Sequence, residues 1–230
     1  MHGTAGNGTT HFLKQIAHHF AARFHVFFVG GRELDALPSA ETFARRLEQF
    51  EHQDRALLLV DDADRLLIDY LSAVGGTPNS PAWYKQRECL LQTIDRVHQS
   101  TRDSRIVLTS NEATLWTDEL RPFIEVVVHI PYKTQRERLL LLRQFTSKMR
   151  LCPSISLEAT VKRLNGHVVR ALRCVCERAA ASAVLNGTAT IEERFFAKAI
   201  QHVVFRQKIR PFVIRPKPNM QALRNPLVRK

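Results

Sequence analysis

Three glycines near the N-terminus, Gly3, Gly6 and Gly8, are spaced to hold a phosphate group. Gly3 and Gly8 occupy both glycine positions of the pattern G-x-x-x-x-G-K-[ST], and Thr10 occupies its hydroxyl position. In such a loop, backbone N–H groups turn towards phosphate oxygens, and the following helix adds the positive end of its dipole. Thr9 stands where the pattern has a lysine that would reach the β- and γ-phosphates. A turn that only caps a helix is the alternative interpretation.

Acidic and amide side chains at the ends of predicted strands form a second group with potential chemistry. Asp61 and Asp62 follow the apolar run 56–60, and Asn111 follows the run 105–109. The carboxyl ends of parallel strands meet at one edge of a sheet, which is where ligands bind in such folds. The strand ends therefore predict a candidate site that includes Asp61, Asp62 and Asn111.

Apolar runs that alternate with helical periodicity predict the elements that position these groups. Such alternation is typical of βαβ units and a parallel sheet, so the predicted fold class is α/β. The predicted strands are 25–29, 56–60, 105–109 and 125–130, the predicted helices are 11–23, 40–53 and 83–100, and 74–81 is a predicted loop.

The pattern is entirely helical after Pro131, with predicted helices at 135–150, 157–164, 169–185 and 191–205. From Arg206 the apolar period fades and four prolines alternate with cations, which predicts an extended tail. The predicted division is therefore a large α/β subdomain at 1–135, a small all-α lid at 136–205 and a basic tail at 206–230.

The chain has 230 residues, of which 44% are hydrophobic and 24% charged, and this composition is typical of a folded domain. No long apolar run predicts a membrane span, and no secretory signal segment is visible. The formal net charge of +12 lies in the C-terminal half, which favours nucleic acid, anionic lipid head groups or acidic proteins as partners, with a solvated basic face as the alternative. The tail contributes eight cations and no acid, and these are the candidate RNA- or partner-binding residues: Arg206, Lys208, Arg210, Arg215, Lys217, Arg224, Arg229 and Lys230. A disordered terminus without a partner is the alternative.

The four cysteines, Cys89, Cys152, Cys174 and Cys176, have no C-x-x-C spacing and no histidines at ligand spacing. We expect unpaired thiols, no zinc or haem site, and an intracellular reducing compartment. The sequence does not distinguish cytoplasm, nucleus and mitochondrion.

A phosphate loop normally follows a buried strand, but only Met1 and His2 precede Gly3. Either the sequence is a fragment, or that strand is missing, or another chain supplies it.

Together these motifs resemble the AAA ATPases, over residues 3–205. The segment 164–172 (LNGHVVRAL), followed by CERAA at 176–180, is similar to the lid of the valosin-containing segregase family. FFVGGREL at 27–34, LLQTID at 90–95 and Ile130-Pro131 followed by Arg136 are similar to further motifs of that family. The resemblance implies the P-loop αβα sandwich of AAA+ proteins, with ATP or ADP and Mg²⁺ as ligands.

The resemblance also implies a role for each candidate residue. The phosphates would be lined by Gly3, Gly6, Asn7, Gly8, Thr9 and Thr10. Asp61 and Thr10 would hold Mg²⁺, Asp62 stands where the family has the glutamate that polarises water, and Asn111 matches the first sensor. Arg121 is the remaining candidate for an arginine finger. Arg170 would be a lid arginine at the phosphates, or else a solvated helix residue.

Three departures separate this sequence from a working family member. Thr9 removes a cation, Asp62 is one methylene shorter than glutamate, and the finger segment around Arg121 is shortened. Mispositioning by about an ångström and loss of a finger each reduce turnover strongly. We therefore favour a degenerate domain that acts as a scaffold or assembly factor in a larger complex. An active AAA ATPase and a purely structural RNA-binding subunit remain the alternatives, and the shortened finger segment argues weakly against a homohexamer.

Overall fold

The structure, a computed structural model, describes residues 1–30, 40–67, 80–111 and 120–209. Its strands are β1 (His25–Val29), β2 (Ala56–Val60) and β3 (Arg105–Leu108). Its α-helices are α1 (Thr9–Phe20), α2 (Ala40–Glu51), α3 (Asp64–Leu67), α4 (Pro81–Gln99), α5 (Gln135–Thr146), α6 (Leu157–Arg163), α7 (Val169–Leu185) and α8 (Glu193–Ile209). A 3₁₀ helix covers Arg121–Phe123.

The strands form a parallel sheet in the order β1-β2-β3, which confirms the predicted α/β class. All five side chains of β2 are buried, because helices cover both faces of the central strand. On one face α2 and α4 contribute Phe43, Phe50 and Leu90, and on the other α1 contributes Leu13. This packing fixes the carboxyl ends of β2 and β3 side by side.

The predicted fourth strand at 125–130 is wrong. The structure gives this segment only an isolated parallel bridge between His129 and His2, and Ile130 N–H donates to His2 O at 2.8 Å. Val126–Val128 have the β-branched side chains of a strand, but a ladder also needs a partner along its length. The described partner at this edge is His2 alone, which also bridges to Ser110.

Helices α5 to α8 surround a hydrophobic core of their own, whose centre includes Leu142, Leu172, Val175 and Phe196. A capping box begins α5: the Thr134 hydroxyl accepts from Glu137 N–H, while the Glu137 carboxylate accepts from Thr134 N–H. The helices predicted at 135–150, 157–164 and 169–185 are present, the first of them four residues shorter at its end. The limits of the three predicted subdomains remain predictions.

The predicted bounds of the last helix are wrong at both ends. Ile191 is not helical, since it bridges to Leu151 in a short parallel pairing, and α8 begins at Glu193. The helix continues to Ile209, so the extended tail does not begin at Arg206, and Arg206 and Lys208 belong to α8. Pro211 disfavours helix in the residue before it, which fits an end near this point. The other six tail cations, and most of the predicted loop at 74–81, lie outside the described residues.

Candidate functional site

The glycine loop turns in the way that its sequence requires. Gly6 and Gly8 have φ values of 92° and 102°, a left-handed conformation that side chains other than glycine rarely adopt. Position 3 requires glycine for a different reason, because there is no room for a side chain: a Cβ there would lie 2.7 Å from the carbonyl oxygen of Ile130. Gly8 caps the N-terminus of α1, and around the position of a Cβ on Gly8 the described residues leave open space. The backbone can therefore approach a bound group closely here.

The loop holds several hydrogen-bond donors that lack acceptors among the described residues. No side chain caps α1, and Phe12 N–H is the first to donate within the helix, to Gly8 O at 2.9 Å. The N–H groups of Thr9, Thr10 and His11 therefore have no helical acceptor. Asn7 is only 3% exposed, and its Nδ2 is buried without a partner. Buried donors without acceptors are costly, so this arrangement fits an anion such as phosphate.

A threonine that the sequence analysis missed organises the acidic edge of the sheet. Thr109, directly after β3, is 1% exposed, and its hydroxyl donates to Asp61 Oδ1 at 2.7 Å. The Thr109 hydroxyl oxygen also accepts a hydrogen bond from the backbone N–H of Asp62 at 3.0 Å. Thr109 thus fixes both acids relative to β3. A hydroxyl residue at a strand end, two positions before Asn111, is the signal that could have identified it.

Asp62 is held in an unusual conformation beside other acids. Its φ of 51° is left-handed, and it is the one non-glycine residue with positive φ among the described residues. Its Oδ1 accepts from Asn111 Nδ2 at 3.3 Å, and the same amide donates to Asp64 Oδ2 at 3.3 Å. Partial burial, together with the charges of Asp61 and Asp64, raises the pKa of the Asp62 carboxyl, against the opposing effects of Arg65 and Asn111. Asp64 was not among the predicted site residues.

The loop and the acidic edge are connected through the end of β3. Gly3 N–H donates to Ser110 O at 3.1 Å, next to Thr109 and Asn111. The structure thus brings the start of the loop to the strand end that organises Asp61 and Asp62. Across the described ranges, no hydrogen bond links Thr9 or Thr10 directly to these acids.

The N-terminus of α7 contacts the loop from the other side. Arg170 N–H donates to Gly6 O at 2.9 Å, and the Cβ of Arg170 lies 3.2 Å from the position of a Cβ on Gly6. Val168 Cγ2 lies 3.0 Å from the same point. Arg170 is exposed and contacts the loop through its backbone and Cβ, whereas Thr9, at the lysine position, is buried and carries no charge.

Arg121 begins the 3₁₀ helix and is exposed. Within the part of the chain that the structure describes, no hydrogen bond or ion pair joins it to Asp61, Asp62 or Asn111. The arginine-finger role of Arg121 therefore stays a prediction.

All four cysteines are unpaired, and burial raises the pKa of the Cys176 thiol to about 12. Among the described residues, no group of three or more histidine, cysteine or acidic side chains could hold a metal ion by itself. None of the described helices is both long and apolar enough to cross a membrane.

Comparison with known proteins decides the family. Residues 1–132 match the sequence profile of a family described as "ATPase family associated with various cellular activities (AAA)". The chain is a member of the AAA ATPase family. The family resemblance of the sequence motifs is thus confirmed, and the parallel sheet fits the αβα sandwich of AAA+ proteins.

Two curated AAA relatives are named 26S proteasome regulatory subunit 6B homolog. The protein from Dictyostelium discoideum is 24% identical over 201 residues, which is 86% of this chain and 49% of the relative. The protein from Encephalitozoon cuniculi is 22% identical over 218 residues, which is 92% of this chain and 54% of the relative. The chain thus spans about half the length of the curated relatives that it matches. The finer resemblance to the valosin-containing segregase remains a prediction.

Proposed function

We propose that this AAA domain binds ATP or ADP weakly or structurally, hydrolyses little of it, and acts as a scaffold or assembly factor in a larger complex. One observation carries the proposal. The loop keeps its left-handed glycines and its unpartnered donors, while the lysine position is occupied by Thr9, which is 6% exposed and carries no charge. Such a loop can bind phosphate through its backbone without the cation that a working site uses.

The nucleotide would be bound by the loop and the start of α1. The N–H groups at Gly8, Thr9 and Thr10 and the side chain of Asn7 are donors suited to phosphate oxygens. Arg170 is the candidate cation for the phosphates, since its backbone N–H donates to Gly6 O. With bound nucleotide, Mg²⁺ would take oxygen ligands from Asp61 and Thr10 and neutralise phosphate charge.

The residues at the hydrolysis positions support slow turnover. The Asp62 carboxylate is shorter than a glutamate, stands on a left-handed backbone, and accepts a hydrogen bond from the Asn111 amide. That amide is also engaged with Asp64. Orienting a water molecule would require both Asp62 and Asn111 to exchange these contacts, and the raised pKa makes Asp62 a group that ionises less readily.

The names of the relatives support a place in a larger assembly. They are described as regulatory subunits of the 26S proteasome, a property of those proteins and here only a guide to the kind of partner. We propose a larger protein or ribonucleoprotein complex as the setting. The four unpaired thiols support an intracellular reducing compartment.

Restoring the lost groups tests the proposal. Thr9→Lys should strengthen ATP binding about tenfold, because a hydrogen bond to a charged group contributes about 1.5–3 kcal/mol. Thr9→Met, of similar length and without charge, is the matched control. The double variant Thr9→Lys with Asp62→Glu should release phosphate faster than wild type. Hydrolysis by wild type at the rate of the double variant would support the active-ATPase alternative.

A second candidate, RNA binding, follows from the charge distribution. Residues 206–230 contain eight cations and no acid, and such a segment can contact a phosphate backbone. Truncation after Ile209 should weaken binding to single-stranded RNA and flatten its salt dependence. A control truncation after Pro218, which removes only three of the eight cations, should have a smaller effect. Equal RNA affinity for all three chains at every salt concentration would exclude this role.

A further inference from the structure

Two histidines that are far apart in the sequence meet beside the start of the phosphate loop. His2 Nδ1 and His129 Nδ1 lie 3.3 Å apart, although 127 positions separate the two residues along the chain. Their ring centroids are 4.6 Å apart, and the ring planes are tilted by 39°. The expectation of no zinc site rested on cysteine motifs and on histidine spacing along the sequence, which cannot reveal a pair that only the fold brings together.

The backbone holds both histidines in place. His2 and His129 form a parallel bridge. His2 N–H donates to Val128 O at 2.9 Å, and Ile130 N–H donates to His2 O at 2.8 Å. Paired residues on neighbouring extended segments direct their side chains to the same face. On its other side His2 bridges to Ser110, just after β3, so the pair of rings is fixed relative to the sheet.

The contact between the rings uses the Nδ1 atom of each imidazole. Two such nitrogens can share one proton, so that one ring donates its Nδ1–H and the other accepts with its Nδ1 lone pair. A separation of 3.3 Å is longer than the usual hydrogen bond of about 2.9–3.0 Å, so this bond is weak. A shift of the shared proton to Nε2 of the same ring leaves two Nδ1 lone pairs side by side.

The distance between the two nitrogens matches one edge of a zinc tetrahedron. With Zn–N bonds of about 2.05 Å and tetrahedral angles, two ligand nitrogens lie about 3.3 Å apart. Ligands at right angles, as in square-planar Cu²⁺ or octahedral sites, would require a shorter separation of about 2.9 Å. The observed 3.3 Å therefore favours Zn²⁺ among the divalent metals that imidazole binds.

We propose that His2 and His129 together form a zinc-binding site, with Nδ1 of each ring as a ligand and solvent water in the remaining two positions. Zinc binds neutral imidazole, so each ring keeps its proton on Nε2, and a rotation about χ2 turns the two lone pairs towards one point. His129 is exposed and His2 is half-buried, so water reaches the site. A site with two protein ligands also agrees with the lack of any larger metal-binding group among the described residues.

Zinc bound to both rings would cross-link residues 1–3 to the segment 128–130. Gly3 begins the phosphate loop between these segments: its N–H donates to Ser110 O at 3.1 Å, and Ile130 O leaves no room for a side chain on it. In the unfolded chain the two ligands are far apart, so zinc should stabilise the folded state by mass action. This role concerns how the start of the loop is held, and it goes beyond the proposed nucleotide binding.

Calorimetry with Zn²⁺ at neutral pH tests the ligands. The His129→Gln variant should bind zinc about tenfold or more weakly than wild type, because one of the two protein ligands is lost. His98→Gln is the matched control: it removes another exposed histidine, whose ring contacts Phe123 instead of an imidazole, and should leave zinc affinity unchanged. Equal zinc affinity for wild type and His129→Gln would overturn the proposal.

Hydrogen exchange locates the metal in the fold. Zinc should protect the Ile130 amide, which donates to His2 O, about tenfold in wild type and not in His129→Gln. His129→Cys should keep both zinc binding and protection, since a thiolate is also a zinc ligand, and this separates loss of a ligand from loss of folding. Loss of zinc binding in His2→Gln but not in His129→Gln would assign the metal to the N-terminal segment alone and overturn the proposal. ATP is absent from these measurements, so their failure would leave the proposed function standing.

Discussion

The phosphate loop and the acidic edge of the sheet lie next to each other, but they use their polar groups in opposite ways. The loop leaves donors without acceptors: the first N–H groups of α1 and the buried Nδ2 of Asn7. The acidic edge pairs most of its groups internally, through Thr109 with Asp61 and Asn111 with Asp62, and among its described carboxylate oxygens Asp64 Oδ1 is buried without a partner.

This difference separates binding from catalysis. Unpartnered donors are what an anion-binding site requires before its ligand arrives. Acids that are already engaged must first be released before they can orient water or metal. The difference therefore supports a site that binds nucleotide better than it hydrolyses it. Substitutions in the phosphate loop and in the acidic edge can test the two parts separately.

The largest effect should come from the fixed start of the loop. Gly3→Ala places a Cβ 2.7 Å from Ile130 O, which is backbone and cannot move aside, so we expect a loss of about 2–3 kcal/mol in the free energy of unfolding. Gly187→Ala is the control, because its φ of 69° adds strain of about 1 kcal/mol but its Cβ would meet open space. Urea denaturation measures both. Equal losses would show that the contact with Ile130 does not fix the loop.

The acidic edge should respond to loss of its organising hydroxyl. Thr109→Val leaves Asp61 Oδ1 and the Asp62 N–H without their buried partner, and about 2 kcal/mol of unfolding free energy should be lost. Thr146→Val is the control, because that buried hydroxyl donates only within its own helix, to Leu142 O and Arg143 O. A loss no larger than the control's would mean that the acids are not held through Thr109.

Substitution of Arg170 tests whether its side chain supplies the positive charge that a lysine at position 9 would supply. Arg170→Met should weaken ATP binding about fivefold, because one charge-assisted contact to phosphate is lost. Arg173→Met removes an equally exposed arginine one turn further along α7, where it pairs with Glu177 at 2.9 Å, and should leave ATP affinity unchanged. Calorimetry distinguishes the two, and equal affinities would make Arg170 a solvated helix residue.

The smallest effect concerns the pH dependence of Asp62. Its pKa is raised in the folded state, so folded protein binds more protons than unfolded protein between the ordinary and the raised value. The free energy of unfolding should therefore fall as pH rises through that interval, and then level off. The Asp62→Asn variant should not show this fall in the free energy of unfolding. Asparagine also tolerates the left-handed backbone at this position. Parallel stability curves for the two proteins would contradict the raised pKa.

Local pattern was sufficient for the three strands of the sheet, because each contains a continuous apolar run, although all the side chains are buried in β2 alone of these three. It failed at 125–130 and at Ile191, where the same kinds of residue lie in extended segments whose pairing depends on distant partners, His2 and Leu151. It also failed at Arg206, since α8 continues through this basic stretch to Ile209.

At the site, glycine spacing predicted the turn of the loop, and the strand ends predicted where Asp61 and Asn111 lie. The roles of Thr109 and Asp64 could not be predicted, because they depend on which oxygen each side chain reaches in three dimensions. The contact of Arg170 with Gly6 likewise depends on how α7 packs. The sequence offered a lid arginine at the phosphates or a solvated helix residue, and that choice stays a prediction.

Phosphate release at saturating ATP, measured for wild type and for Asn111→Ala, tests the central claim most directly. The account predicts that wild type binds ATP yet releases phosphate no faster than Asn111→Ala. Sustained turnover by wild type that Asn111→Ala abolishes would contradict it.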